Sequence, residues 1–295
     1  IFWGSTNLHA EAYADRLGAM LHYVYMFAEK RGRAAAALRY LPMAAKTWRI
    51  LTRERPAVVY VVISPVFAGL SVYLYCVLSR ARFVMDVHNH ALYSRKWAWS
   101  VPLVRFLARR SEANIVDQET NQGLFRDWGT DAFLLERPPQ RLSSGEGTDD
   151  DGRAITVINN FGSDEPVEPI LAAARAIPDI DFFILGDTQR ADSLLISSAP
   201  ANVTFTGYLT GSAFWHRLDS SGGIIALTTH DYSLLSAAIE GMAMNKPLIL
   251  SRVRALTEYF TKGAVFVDHD AASMTAGIKE LLNRHSSLSR EISEL

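Results

Sequence analysis

Short β-rich runs alternate with helical patterns along the whole chain, and this alternation constrains the fold more than any other feature. In residues 1–140, strands are predicted at Ile1–Trp3, Tyr23–Met26, Val58–Ile63, Phe83–Val87, Ala113–Val116 and Phe133–Leu135. Helices are predicted between them at His9–Gly18, Ala34–Arg53, Val66–Ser79, Trp97–Arg110 and Glu119–Trp128. Strand, helix and strand at this spacing predict a parallel sheet with helices on both faces.

The second half repeats the alternation after a polar break. Strands are predicted at Ile155–Ile158, Phe182–Leu185, Val203–Phe205, Gly223–Leu227, Leu248–Leu250 and Ala264–Val267. Helices are predicted at Pro166–Ala176, Gln189–Ser198, Gly211–Asp219, Tyr232–Met244, Ala255–Phe260 and Ala271–Arg284. We therefore expect an amino-terminal domain (residues 1–140), a linker rich in Ser, Gly and Asp (residues 141–153) and a carboxyl-terminal domain (residues 154–295). Two doubly wound α/β domains would face a crevice at the carboxyl ends of their strands, where ligands bind.

Composition indicates a globular protein, with 49% hydrophobic and 21% charged residues. The longest apolar run, Val66 to Leu78, is shorter than the roughly 18 residues that span a bilayer, so it predicts a buried helix. No cleavable signal is visible. The single Cys76 excludes an internal disulfide, and we expect a structural thiol in a reducing, cytoplasmic setting.

Charge is divided unevenly between the halves. Residues 1–140 contain 18 Lys and Arg against 11 Asp and Glu, whereas residues 141–295 contain 12 against 20. The basic half either faces something anionic or is a solvated surface. The stretch from Trp97 to Arg110 leaves a similar choice between a core-facing helix with a basic solvent side and a contact with an anionic membrane surface. No nucleic-acid partner is expected.

Residues 234–250, LLSAAIEGMAMNKPLIL, combine a short helix, a turn and a buried strand. This stretch resembles the donor-binding element of retaining family-4 glycosyltransferases of the GT-B fold, whose pattern is roughly E-x7-E-A-M-A-x-G-x-P-V-I. The resemblance implies that Glu240 binds the ribose hydroxyls of a nucleotide sugar. Tyr232 stands where the family has its first Glu.

The rest of the second half, from Ile155 to about Leu281, is similar to the donor domain of the same family in the order and spacing of its strands and glycine turns. The resemblance implies donor-binding positions at Phe161, Gly162, Gly186, Gly207 and Tyr208.

One departure from the family concerns phosphate binding. The family places a basic pair after the first strand of this domain to stabilise the departing diphosphate. Here the stretch from Asn159 to Glu168 has no Lys or Arg and carries Asp164 and Glu165 among its acidic residues. Backbone amides around Phe161, Gly162 and Ser163 are one alternative phosphate ligand. Arg252 and Arg254, with Lys246, are another, although all three are equally compatible with surface charges.

In the first half, Asp86 and His88 end a predicted strand and match the family's Asp-x-His, which implies that His88 contacts the transferred sugar. Asp86 on the same side of the strand would orient the imidazole. The alternative is a metal pair, His88 and His90, completed by the cluster at residues 268–270. Gly4, Ser5 and Thr6 follow the first strand as an acceptor- or phosphate-facing loop would, but they lack the full dinucleotide-binding pattern.

These patterns predict transfer of a sugar from a nucleotide-diphosphate donor to a hydroxyl of a glycan, glycolipid or polysaccharide acceptor, with retention and with no metal or other cofactor. A lipid-linked acceptor would place the enzyme peripherally at the membrane. Two alternatives remain: a non-catalytic nucleotide- or glycan-binding subunit of an assembly complex, and a hydrolase or epimerase of nucleotide sugars.

Overall fold

The computed structural model describes residues 1–4, 8–25, 40–63, 65–135 and 154–295. The chain divides into two compact units, Ile1–Arg137 and Pro138–Leu295. The predicted linker, residues 141–153, lies outside the described residues.

The first unit is built on a parallel sheet in the order β1-β2-β3-β4. Its strands are β1 (Val58–Val62), β2 (Arg82–Asp86), β3 (Ala113–Val116) and β4 (Phe133–Leu134). The two strands predicted earlier in the chain are reduced to a parallel bridge between Phe2 and Tyr23. Ile1 extends this bridge to β1, because Val62 N donates to Ile1 O at 3.2 Å. A single bridge is too short to form a regular β-strand.

The helices of the first unit cover both faces of its sheet. They are α1 (Leu8–Leu17), α2 (Tyr40–Glu54), α3 (Val66–Ser79), α4 (Asn89–Tyr93), a 3₁₀ turn (Ala98–Ser100), α5 (Val101–Ala108) and α6 (Glu119–Asp127). Val61, Met85 and Leu107 are fully buried in a single core between these layers. The helix predicted from Trp97 to Arg110 begins instead at Val101, after the 3₁₀ turn, with Pro102 in its first turn.

The second unit has six parallel strands in the order β10-β9-β8-β5-β6-β7. They are β5 (Ala154–Ile158), β6 (Asp181–Leu185), β7 (Val203–Gly207), β8 (Gly223–Ala226), β9 (Leu248–Ser251) and β10 (Ala264–Val267). Every residue of β8 and β9 is buried, as expected for central parallel strands with helices on both faces. Parallel pairing throughout both sheets confirms the predicted fold class.

The helices of the second unit are α7 (Glu168–Ala176), a 3₁₀ turn (Thr188–Arg190), α8 (Ser193–Ser197), α9 (Gly211–Asp219), α10 (Ser236–Ala243), α11 (Arg254–Tyr259), α12 (Ala271–Asn283) and α13 (His285–Ser293). The helix predicted from Tyr232 begins at Ser236. Asp231 accounts for the difference, because its carbonyl and carboxylate bind the amides of Ala255 and Arg254 and hold residues 231–235 as a loop.

No helix among the described residues is long and apolar enough to cross a membrane. Among the helices that the structure describes, the longest without a charged residue is α3, with 14 residues.

Candidate active site

The strand order of the second unit places its topological switch point between β5 and β8. The chain moves outward from β5 through β6 to β7, then returns to pair β8 on the other side of β5. Ligands of open α/β sheets bind beside the carboxyl ends of the strands at such a point. The loops that begin at Asn159 and Leu227 therefore form the candidate site of this unit.

Gly186 sets the shape of the loop after β5. A side chain at this position would put its Cβ 1.7 Å from the carbonyl oxygen of Asn159, and its φ of 148° favours glycine. Phe161 adopts a φ of 53° and its ring lies 6.2 Å from that of Phe205. Predicted positions Phe161 and Gly186 therefore meet at the carboxyl edge of the sheet.

Two backbone amides of the loop after β5 face the carboxylate of Glu165. Glu165 Oε2 accepts from the amide of Asn160 at 2.5 Å and lies 3.5 Å from the amide of Gly162. The amide of Phe161 donates to Asn159 Oδ1 at 2.7 Å. Of the amides predicted as alternative phosphate ligands, that of Gly162 faces Glu165 and that of Phe161 donates to Asn159, so a phosphate at these amides would have to displace both acceptors.

Asp164 ties the two loops of the switch point together. Its Oδ2 accepts from the Thr228 hydroxyl at 3.1 Å and lies 3.2 Å from Nδ1 of His230. Its carbonyl oxygen accepts from the amide of Thr229 at 2.7 Å. His230 Nε2 makes no hydrogen bond to any described residue, and the side chain is 42% exposed. The site therefore presents Nε2 of His230, while the Asp164 carboxylate contacts Nδ1 of the same ring.

Tyr232 lies in the same loop, with its ring stacked on His230 at a centroid distance of 5.1 Å and an angle of 12°. Its pKa is raised above the usual range, first by burial and then by the charge of Asp164. The phenol is therefore neutral near pH 7 and acts as a hydrogen-bonding and stacking group.

Glu240 is the fifth residue of α10 and is half-buried. The helix lies close on the sheet at this level: a Cβ on Gly241 would meet Leu248 at 2.7 Å and Ile224 at 3.2 Å. This packing fixes the rotation of α10 about its axis, and so fixes which side of the helix carries Glu240.

Arg252 and Arg254 follow β9 on the same carboxyl edge, as predicted. Arg252 Nε lies 3.6 Å from Asp268, and Arg254 Nε lies 3.8 Å from Asp231. The guanidinium groups are 56% and 51% exposed, so the two ion pairs are weak. Arg252 Nη2 also donates to the carbonyl oxygen of Phe266 at 2.7 Å, and Arg252 must give up this bond to turn to another anion.

Ser251 and His269 form a second polar link that the sequence did not reveal. Ser251 Oγ accepts from the amide of Thr228 at 2.8 Å and lies 2.8 Å from His269 Nε2. Because Ser251 is fully buried, this chain of bonds holds the loops after β8, β9 and β10 together.

Gly207 and Tyr208 also reach the carboxyl edge, where Gly186 N donates to Gly207 O at 3.1 Å and Tyr208 is exposed. Lys246 does not. It precedes β9 at the opposite edge of the sheet, and its ammonium donates to the carbonyl of Asp219, which precedes β8. Because the candidate site lies at the carboxyl ends of the strands, this position of Lys246 does not fit its predicted role in donor binding.

The first unit brings Asp86 and His88 together at the carboxyl end of β2. Asp86 Oδ2 lies 3.4 Å from His88 Nε2 and accepts the Tyr60 hydroxyl at 2.9 Å. Burial and the Asp86 charge raise the pKa of Tyr60 far above its usual range. Tyr60, which the sequence did not single out, thus shares the carboxylate that orients His88.

Two other predictions concern the first unit. The described residues contain no group of three or more His, Cys, Asp or Glu side chains that could hold a metal ion, so His88 and His90 are not part of such a cluster there. Gly4 follows the bridge at Phe2, whereas Ser5 and Thr6 lie outside the described residues.

Residues 162–284 match the family model described as glycosyl transferases group 1, and this range includes Asp164, His230, Tyr232, Glu240 and Arg254. The second unit is a group 1 glycosyltransferase domain. No curated protein matches the chain in a sequence search.

Solved structures extend the likeness in fold to both units. HepE from Anabaena, in complex with UDP and glucose, has a TM-score of 0.68 at 11% identity over 96% of this chain and 83% of that chain. Sucrose-phosphate synthase from Thermosynechococcus elongatus has a TM-score of 0.73 at 14% identity over 92% and 77%. A glycosyltransferase from Rickettsia africae has a TM-score of 0.66 at 16% identity over 100% and 82%. The prediction of a GT-B glycosyltransferase is confirmed.

Proposed function

We propose that the chain transfers a sugar from a nucleotide-diphosphate donor to a hydroxyl of a glycan or lipid-linked acceptor in polysaccharide assembly. The observation that carries the proposal is the family match over residues 162–284, a range that contains both Glu240 and the switch-point pair Asp164–His230. HepE was solved with UDP-glucose, which makes a uridine donor the first to test.

We assign side chains of the second unit to two parts of the donor, the ribose and the diphosphate. The two oxygens of the Glu240 carboxylate suit the two hydroxyls of a ribose, since both hydroxyls can donate to it. His230 donates from Nε2 to a phosphate oxygen, while Asp164 lies against Nδ1. Arg254 turns from its weak ion pair to the same diphosphate, and Arg252 does so by giving up its bond to the Phe266 carbonyl as well.

In the proposed reaction, the bond between the sugar C1 and the donor phosphate oxygen breaks as the acceptor oxygen bonds to C1 on the same face. The acceptor proton passes to the departing phosphate oxygen, so the anomeric configuration is retained without a protein base. His230, Arg252 and Arg254 stabilise the negative charge that develops on the diphosphate. These side chains take the part that a metal ion plays in metal-dependent transferases. His88, oriented by Asp86, binds the sugar.

The acceptor side of the proposal rests on charge. Residues 1–140 have an excess of seven positive charges, which suits an anionic, membrane-associated acceptor such as a polyprenyl-phosphate-linked sugar. The stretch from Trp97 to Arg110, which could contact an anionic membrane, supplies only some of the side chains for such a contact. Trp97 is buried, and Arg109 donates to the carbonyl of Trp128.

The experiment incubates the full chain with UDP-glucose, UDP-N-acetylglucosamine and GDP-mannose, each with and without a panel of glycan and lipid-linked acceptors. We expect nucleoside diphosphate release that requires an acceptor, survives a chelator and gives a product of retained configuration by NMR. Release that is equal without acceptor would indicate a hydrolase instead, and no release from any donor would contradict catalysis.

A further inference from the structure

Helix α3 of the first unit is apolar on its outer side as well as its inner side. Its 14 residues, VFAGLSVYLYCVLS, include no charged side chain. Val72, Tyr75 and Cys76 are buried in the core. On the outer side, however, Leu74, Val77 and Leu78 are 53%, 58% and 73% exposed. A helix on the surface of a soluble domain normally carries polar residues there, so these side chains need a partner.

The neighbouring helix α5 extends this apolar surface. Tyr73 of α3 lies edge-to-face with Phe106 of α5 at a centroid distance of 5.5 Å, and Phe106 is 37% exposed. We call Leu74, Val77, Leu78 and Phe106 the α3 face. The contact between the two rings makes the face continuous across both helices.

Arginine side chains border the α3 face. The Arg110 guanidinium lies 3.7 Å from the centroid of the Phe106 ring. Arg80 caps α3 directly after its last residue, and Arg105 is exposed on α5. None of these three arginines forms a salt bridge to a carboxylate of the described residues. The nearby Arg82 is neutralised by Glu112 at 3.1 Å. The border of the face is therefore positively charged.

We propose that the α3 face docks on an anionic phospholipid surface, with its Leu, Val and Phe side chains entering the boundary between headgroups and acyl chains and its arginines binding lipid phosphates. Exposed aliphatic side chains bordered by cations are the pattern of proteins that lie on membranes. The proposal gives a location to the membrane contact that the proposed function requires, but vesicle binding can be measured whether or not the chain transfers a sugar.

Charge also argues against a second copy of the chain as the occupant. A twofold interface brings the same patch of both copies together. The positively charged borders formed by Arg80, Arg105 and Arg110 would then be brought together from both copies, and like charges across an interface oppose association.

The test measures sedimentation of the full chain with vesicles of phosphatidylcholine and of an equimolar mixture of phosphatidylcholine and phosphatidylglycerol, across a salt series. The first variant combines Val77→Glu with Leu78→Glu. Its matched control is Leu194→Glu in the second unit, because Leu194 is 74% exposed and Leu78 is 73% exposed. A second variant, Arg80→Ala with Arg105→Ala and Arg110→Ala, removes the charge and leaves the apolar side chains.

We expect binding to the anionic vesicles that weakens with salt, little binding to the neutral ones, and a partition coefficient about tenfold lower in either multiple variant but not in Leu194→Glu. Transfer to a soluble acceptor should stay unchanged in all of them, which separates this proposal from the proposed function. The proposal is overturned if the wild type ignores anionic vesicles at low salt, or if both multiple variants bind as it does. A wild-type oligomer that Val77→Glu with Leu78→Glu dissociates, seen by light scattering, would assign the face to a second copy instead.

Discussion

Nδ1 of His230 lies 3.2 Å from Oδ2 of Asp164, although one residue follows β8 and the other follows β5. The strand order brings them together, because β5 and β8 are neighbours at the switch point. The pair holds the imidazole with Nε2 directed away from the carboxylate, which is how we expect it to meet the donor diphosphate.

Replacing His230 by Ala should lower the affinity for UDP by about tenfold or more, the contribution of one charge-assisted hydrogen bond. Calorimetry with UDP and with uridine checks this, since only the ligand with phosphates should lose affinity. His216→Ala, an exposed histidine on α9, serves as the matched control. An equal loss for uridine would indicate a contact with base or ribose.

Replacing Glu165 by Ala should raise the affinity for UDP, in contrast to the loss expected for other changes in the site. The carboxylate now occupies the amides of Asn160 and Gly162, so its removal frees two donors for a phosphate oxygen. We expect a gain of about threefold to tenfold by calorimetry, roughly one ordinary hydrogen bond. A fall in affinity would show instead that Glu165 shapes the loop for the donor.

Tyr232→Phe should keep measurable transfer, because the raised pKa of Tyr232 keeps the phenol neutral near pH 7 and makes it a poor proton carrier. Tyr232→Ala removes the ring stacked on His230 and should raise the KM for the donor. Loss of kcat in the Phe variant with donor binding preserved would assign Tyr232 a direct part in the chemistry.

Tyr60 predicts an alkaline limit to stability. Its folded pKa is raised by burial and by Asp86, so its contribution is complete below the ordinary tyrosine pKa of about 10 and is lost as pH rises through the folded value. Thermal unfolding at pH 8 and pH 11 should therefore show a smaller fall in Tm for Tyr60→Phe than for the wild type. Tyr208→Phe, on an exposed residue, should behave like the wild type.

Hydrophobic patterning was enough to predict most of the strands, because central parallel strands are continuous apolar runs such as Leu248–Leu250. It also placed the start of α10 four residues early. Tyr232 and Leu234 continue the helical pattern, but the bond from Arg254 N to the Asp231 carboxylate keeps this part of the chain out of the helix. Such a tertiary contact leaves no local pattern.

The site residues also divide into those that a local pattern predicts and those that depend on tertiary contacts. Glu240 could be predicted as a site residue because a local motif surrounds it, and it stays a prediction. The link from Asp164 to His230 depends on strand order, which the sequence does not state. Lys246 was placed in the site by its closeness to the motif, yet it precedes β9 rather than following it. The outer side of α3 was expected to be buried, since composition alone does not show which apolar helix lies at the surface.

Ribose recognition by Glu240 is the central claim, and binding of UDP and 2′-deoxy-UDP to the wild type and to Glu240→Gln tests it most directly. The glutamine keeps the shape but has one acceptor oxygen, so the two ribose hydroxyls cannot both donate to it. We expect UDP affinity to fall by about tenfold to a hundredfold in the variant, and the preference for UDP over its deoxy analogue to disappear. A folded Glu240→Gln protein that binds UDP as tightly as the wild type and still prefers it to 2′-deoxy-UDP would contradict the account.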